Sequence, residues 1–143
     1  MIELKPIIRN DAAGSGHFDA PRGSRKHRGM DIVAITGQPV VLRRDMKFNR
    51  VGFPYEGDFN YKLMEFYLPD YDSVLVKLMY VTPRTWKPLE RHTTYHAGTI
   101  IGYAQDIKAR YPNEPDMQNH IHVEVIRNGK HENPAWWLGV GGE

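Results

Sequence analysis

Residues 119–125, Asn-His-Ile-His-Val-Glu-Val, alternate polar and apolar side chains at period two, and no other stretch constrains the chain as tightly. A strand sends successive side chains to opposite faces, so Ile121, Val123 and Val125 make one apolar face while His120, His122 and Glu124 share the other. Two imidazoles above a hydrophobic backing point to metal or acid–base chemistry, because neutral His is the commonest nitrogen ligand for zinc. Zinc needs further ligands. Far upstream, His27-Arg28-Gly29-Met30-Asp31 supplies another imidazole and a carboxylate, and three protein ligands plus water make an open, catalytic type of site. Seven His also pair by chance, and spacing leaves open whether the two segments meet in space.

The rest of the chain reads as short strands between turns. Residues 10–31, rich in Gly, Ser, Asp and charge, are expected to form an ordered surface loop running into a strand at Ile32–Ile35, with Asp31 at its start. Gly37-Gln38-Pro39 turns the chain into Val40–Leu42. Strands are predicted over Lys47–Gly52, Tyr61–Leu68, Ser73–Val81 and Thr99–Ala104, separated by Pro54–Asp58 and Pro69–Asp72. Residues 104–111 are the one candidate helix, ended by Pro112, and Asn128-Gly129 predicts a two-residue hairpin. This spacing predicts a mainly β protein, an antiparallel sheet or partly closed barrel with at most one or two short helices. Trp136 and Trp137 are expected to cover the core edge.

Residues 1–143 are most simply one domain, long enough to bury a core without staples. With 19 Lys+Arg against 17 Asp+Glu, the net charge of +2 argues against nucleic acid as a partner. The basic run Arg22, Arg25, Lys26 and Arg28 reads as a solvated loop in preference to a phosphate site. No cysteine is present, so disulfides and thiolate–zinc sites are excluded and any metal must be held by His and carboxylate. No apolar run reaches membrane-spanning length, and Met1–Pro6 does not read as a secretory leader. A substrate outside the cytoplasm would therefore require delivery by other means. Taken singly, His17, His92, His96 and His131 are ordinary surface or core histidines.

The motifs extend well beyond four residues. Gly23-Ser24-Arg25-Lys26-His27-Arg28-Gly29-Met30-Asp31-Ile32, Gly37-Gln38-Pro39-Val40, Ala97-Gly98-Thr99-Ile100-Ile101-Gly102, and His120–Val125 followed by Asn128-Gly129-Lys130 and Asn133-Pro134 resemble, in order, the conserved segments of the lysostaphin/LytM-type zinc metallopeptidases. The resemblance covers residues 14–138. It implies a mainly antiparallel β domain with a surface groove over the sheet, and zinc at the groove floor held by His27, Asp31 and His122. It further implies that His120 is the catalytic His beside the metal-bound water, whose pKa zinc lowers towards about 7. Glu124 would either orient a ligand or face solvent.

One departure stands out. Where the family has a second catalytic His in a Y-x-H-L strand, Leu78-Met79-Tyr80-Val81 places Tyr80. A phenol, with a reference pKa of about 10, is a poor base at neutral pH but can donate a hydrogen bond to a developing oxyanion; Tyr80 could equally be a packed residue of the groove wall. Val76–Pro83 is similar to the matching stretch of the vertebrate leukocyte-derived chemotaxin branch, which keeps the zinc ligands, also has Tyr there, and is generally regarded as non-peptidase. The resemblance implies a zinc endopeptidase that cuts the peptide cross-links of bacterial peptidoglycan. The leader-free N-terminus suggests a phage-derived or virion-carried enzyme, made in the cytoplasm and delivered to the wall by a tail assembly or lysis system. The alternative is a catalytically silent, zinc-retaining structural or binding module, its groove filled by its own 83–97 segment with Trp86 or by a partner.

Overall fold

The structure, a computed structural model, describes residues 9–11, 14–15, 21–22, 25–26 and 29–135. The expectations placed on His17, His27, Arg28, Trp136 and Trp137 fall outside these residues. Two ribbons come first, β1 (Asn10–Asp11) with β2 (Gly14–Ser15) and β3 (Pro21–Arg22) with β4 (Arg25–Lys26). The strands that follow are β5 (Met30–Val33), β6 (Pro39–Val41), β7 (Met46–Gly52), β8 (Leu63–Leu68), β9 (Tyr71–Met79), β10 (Val81–Pro83), β11 (Thr94–Tyr95), β12 (Ile100–Ala104), β13 (His120–Arg127) and β14 (Lys130–Glu132). Seven of them form one open antiparallel sheet, in the order β11-β7-β8-β9-β13-β14, with β5 also paired to β13. A second open sheet has the order β10-β12-β6.

Period-two patterning explains how the two sheets meet. On β9, Val74, Val76 and Leu78 are buried, whereas Leu75, Lys77 and Met79 on the other face are partly exposed. Met64 and Phe66 of β8 and Val123 and Val125 of β13 join the buried face, and one cluster packs them with Val40, Val81, Ile101 and Ala104 of the smaller sheet and its flanks. Burying a side chain of this size contributes on the order of 1.5–3 kcal/mol, so this shared apolar face holds the fold. The opposite face of the large sheet is then available for polar chemistry. β13 runs between β9 on one side and β5 followed by β14 on the other. It is the strand with most partners, as its alternation suggested.

The element boundaries differ from expectation in instructive ways. Asp31 lies inside β5 rather than at the head of a later strand, because the ladder to β13 begins at Met30↔Val123. The strand expected over Ser73–Val81 is divided by Tyr80, whose φ of 70° is left-handed. The helix expected over 104–111 is reduced to a 3-10 turn, η1 (Lys108–Arg110). Ala104 is held in β12 opposite Val81. Beyond it, Asn119 Oδ1 accepts the Ile107 N–H at 2.9 Å and Asp106 Oδ1 accepts the Ala109 N–H at 3.2 Å, so side-chain oxygens take N–H groups that helical carbonyls would otherwise accept. The hairpin is present as drawn, with Asn128 and Gly129 both at positive φ between β13 and β14. Among the described residues no helix is long and apolar enough to cross a membrane.

Candidate active site

Strand register brings the chemistry together. Asp31 is the direct partner of His122 across the β5–β13 ladder, and in antiparallel strands opposed residues point to the same face. On that face the Asp31 carboxylate meets the His122 ring, with Oδ1 2.7 Å from Nδ1. Both residues are buried. The approach requires Gly29. A Cβ there would sit 2.3 Å from the Val123 carbonyl oxygen and 2.8 Å from Cε1 and Nε2 of His122, distances no side chain tolerates. The glycine in the His-x-Gly-x-Asp segment is thus a steric condition for laying that segment against His122.

The second ring nitrogen of His122 is also engaged, since Nε2 lies 2.9 Å from Glu124 Oε2. Carboxylates only accept hydrogen bonds, so both ring nitrogens carry protons in the metal-free protein. Burial alone would push the imidazolium pKa down; the hydrogen bonds and charges of Asp31 and Glu124 outweigh it and hold it up at about 9. Burial would likewise raise Glu124, but His122 and then His131 keep its carboxyl down at about 2. His131 Nε2 reaches Glu124 Oε1 at 3.0 Å, so a histidine that the sequence reading took as an ordinary surface or core residue belongs to this network. The Asn128-Gly129 hairpin contains the missed signal: its register sets His131 opposite Ile126, and Ile126 shares a face with Glu124.

His120 is held differently. Its Nδ1 is 2.8 Å from the Gln118 carbonyl oxygen. A carbonyl cannot donate, so Nδ1 bears the proton and the neutral ring presents Nε2 as a lone pair, 3.7 Å from Asp31 Oδ2. Burial lowers the His120 pKa, against the opposing pull of Asp31 and the Gln118 carbonyl, and so favours this neutral form. Arg9 is a site residue for which the sequence carried no signal. Its buried guanidinium donates from Nε to Asp31 Oδ2 at 3.0 Å, which compensates the buried carboxylate.

Tyr80 stands beside these residues, its ring centroid 5.8 Å from that of His120 and 6.4 Å from that of His122. Simple alternation after Met79 would send it to the core face; the left-handed backbone at Tyr80 breaks the alternation as the chain passes from the large sheet to the small one. That conformation is unfavourable for a bulky residue by about 1–3 kcal/mol and is clamped at both ends, with the Tyr80 N–H donating to the Lys62 carbonyl and the Gln105 N–H donating to the Tyr80 carbonyl, each at 2.8 Å. Burial pushes the phenol up to about 12, which leaves a hydrogen-bond donor and not a base at neutral pH.

Asp31, His120, His122 and Tyr80 are therefore brought together, while His27, the third member of the expected ligand set, lies outside the described residues. Among the described residues no group of three His, Asp or Glu side chains is disposed to hold a metal ion. The donors that are described fit zinc as part of a set. Asp31 Oδ1 and His122 Nδ1 face each other, and Glu124 takes the other nitrogen, Nε2, as an outer carboxylate would behind a ligating histidine.

The mainly antiparallel architecture, with its open sheets, is that of the lysostaphin-like fold. It superposes on the catalytic domain of the antimicrobial peptidase lysostaphin from Staphylococcus simulans with a TM-score of 0.62 at 18% identity, covering 92% of each chain. Against the catalytic domain of the prophage-encoded M23 protein EnpA from Enterococcus faecalis the TM-score is 0.60 at 17% identity, covering 94% of this chain and 92% of that one. Against Helicobacter pylori Csd3 it is 0.61 at 20% identity, and the match spans 94% of this chain but 33% of that protein. No family profile and no curated protein matches the sequence.

Proposed function

We propose that this chain is a zinc-dependent endopeptidase that hydrolyses peptide cross-links of bacterial peptidoglycan. The observation that carries the reading is the pairing of two differently prepared histidines on one strand. His122 has its Nε2 held by Glu124, so that Nδ1, facing Asp31, would be the nitrogen to give up its proton and ligate, whereas His120 has its Nδ1 occupied by a carbonyl, leaving Nε2 as a base. Asp31 and His122, with His27, would hold the metal, and zinc when bound would polarise the scissile carbonyl and acidify a water molecule. His120 Nε2 would take the proton from the attacking water and return it to the leaving amine. Glu124 keeps the His122 ring in the tautomer that ligates, and the Tyr80 hydroxyl would donate to the oxyanion as the carbonyl carbon becomes tetrahedral.

The substrate class rests on likeness to lysostaphin and EnpA, described respectively as an antimicrobial peptidase and a prophage-encoded M23 protein. Delivery to the wall by a virion or a lysis system belongs to the same proposal. The competing reading, a zinc-retaining module without activity, draws on Tyr80. Two observations favour the enzyme. A module has no need of a neutral, hydrogen-bonded His120, and Trp86, 59% exposed, rests against Arg84 and Tyr103 of the smaller sheet and its flank instead of over the histidines.

The test is release of cross-linked stem peptides from purified peptidoglycan by zinc-loaded protein, with fragments identified by mass. Chelation and His122→Ala should each abolish zinc binding and turnover, while His120→Ala should bind zinc and lose turnover by at least a hundredfold. Normal turnover by His120→Ala would overturn the assignment of the base. Tight zinc binding without fragments from any wall type would favour the module.

A further inference from the structure

Tyr80 is one end of a line of phenols that leads away from the histidines. Tyr55 donates its hydroxyl proton to the Tyr80 oxygen at 3.1 Å. Tyr55 and Tyr111 hydroxyls are 2.8 Å apart. A phenol has a single proton, and Tyr55 has given its own to Tyr80, so Tyr111 must be the donor in that second bond. All three hydroxyl dipoles then run the same way, from the half-exposed Tyr111 through Tyr55 to Tyr80, and the proton of Tyr80 has no acceptor among the described residues. The geometry of Tyr55 is fixed from several sides. Its ring stacks on that of Tyr80 with centroids 5.9 Å apart and 12° between planes, and meets Tyr61 edge-on at 6.1 Å. The Arg110 guanidinium lies 3.7 Å from the Tyr55 ring centroid, held there by a 2.7 Å ion pair with Asp58.

We infer that Tyr55, with Tyr111 behind it, is a positioning residue that turns the Tyr80 hydroxyl so that its proton is directed to the substrate oxygen and strengthens that donation. The inference rests on the reading of Tyr80 as an oxyanion donor and goes beyond it, by assigning a role to Tyr55 and Tyr111, which lie outside the expected ligand and catalytic set. An isolated Tyr80 would be free to point its proton elsewhere. With its acceptor lone pair already engaged by Tyr55, it has one useful direction left, and a phenol that accepts a hydrogen bond is polarised into a better donor. This arrangement explains how a phenol can take the place of an imidazole.

The experiment is a double-mutant cycle of Tyr55→Phe and Tyr80→Phe in the zinc-loaded protein, reading kcat and KM on a cross-linked muropeptide. Binding of a phosphinic pseudopeptide, a tetrahedral mimic of the hydrated peptide bond, is measured in parallel by calorimetry. Each substitution keeps the ring and its stacking, so melting temperatures should stay close to the parent's. Tyr80→Phe is expected to lower kcat about a hundredfold. Tyr55→Phe should lower kcat about three- to tenfold with KM unchanged, weaken the phosphinate by a similar factor, and cost nothing further when Tyr80 is already Phe. Tyr111→Phe should act in the same direction, with a smaller effect.

A Tyr55→Phe effect of equal size in both backgrounds, or none in either while Tyr80→Phe is impaired, overturns the phenol line and leaves the role of Tyr80 standing. Parental turnover and phosphinate affinity in Tyr80→Phe overturn the role of Tyr80 and the line together. A parent protein that neither cuts nor binds the phosphinate overturns both along with the proposed activity.

Discussion

Replacing Gly29 by Ala adds one methyl group at the place where two segments 91 residues apart close on each other, as the Asp31–His122 hydrogen bond shows. The new Cβ would stand 2.3 Å from the Val123 carbonyl oxygen and 2.8 Å from the imidazole of His122. Neither can yield cheaply, because Val123 is paired in the β5–β13 ladder on one side and the β13–β9 ladder on the other, and His122 is bonded through both nitrogens. The start of β5 must therefore move by an ångström or so, and Asp31, two residues on, moves with it. Overpacking of this kind costs about 2 kcal/mol, which for a chain of this length lowers Tm by roughly 7 °C. Displacing a ligand atom by that distance should weaken zinc at least tenfold. Thermal melts of the zinc-free protein and zinc titration against a competing chelator measure the two effects separately, with no substrate involved. Parental Tm and parental zinc affinity in Gly29→Ala would refute the packing argument, whatever the activity.

Three further outcomes are expected. The zinc-free protein should be most stable at about pH 4.5–6.5: His122, raised to about 9 in the fold, contributes fully below about 6.5 and loses its contribution as pH rises through 9, while Glu124, lowered to about 2, contributes fully above about 4.5 and loses its contribution as pH falls through 2. The pair, counted once, is worth roughly 3 kcal/mol, and a flat Tm between pH 6 and 9 would contradict it. Glu124→Gln should cost zinc about ten- to a hundredfold in affinity by replacing the charged acceptor of His122 Nε2 with a neutral amide, a change calorimetry would detect; unaltered affinity would refute a role for the Glu124 charge in supporting the ligand. Gly102→Ala should destabilise the smaller sheet without touching the site, since its Cβ would meet the Thr82 carbonyl oxygen at 2.2 Å; chemical denaturation would show a lowered midpoint with zinc affinity of the folded protein retained.

Wherever one strand states its own geometry, the sequence by itself determined the outcome. Alternation along β13 settled that His120, His122 and Glu124 share a face, turn chemistry settled the β13–β14 hairpin, and the succession of short apolar runs settled a mainly antiparallel β fold. These are period-two and nearest-neighbour properties, and they survive without knowledge of what packs where. Only the tertiary structure decided which residues oppose that face. Asp31 reaches His122 through a ladder register between distant segments, Arg9 reaches Asp31 from a segment of no recognisable pattern, and Tyr55 reaches Tyr80 from one loop while Tyr111 reaches Tyr55 from another. The left-handed turn at Tyr80 is the sharpest case, since alternation sends that side chain into the core, and two long-range backbone bonds hold it beside His120 instead. The shortened helix has the same cause: Ala104 and Ile107 are held by partners across the fold, and a propensity read along the chain contains no information about them.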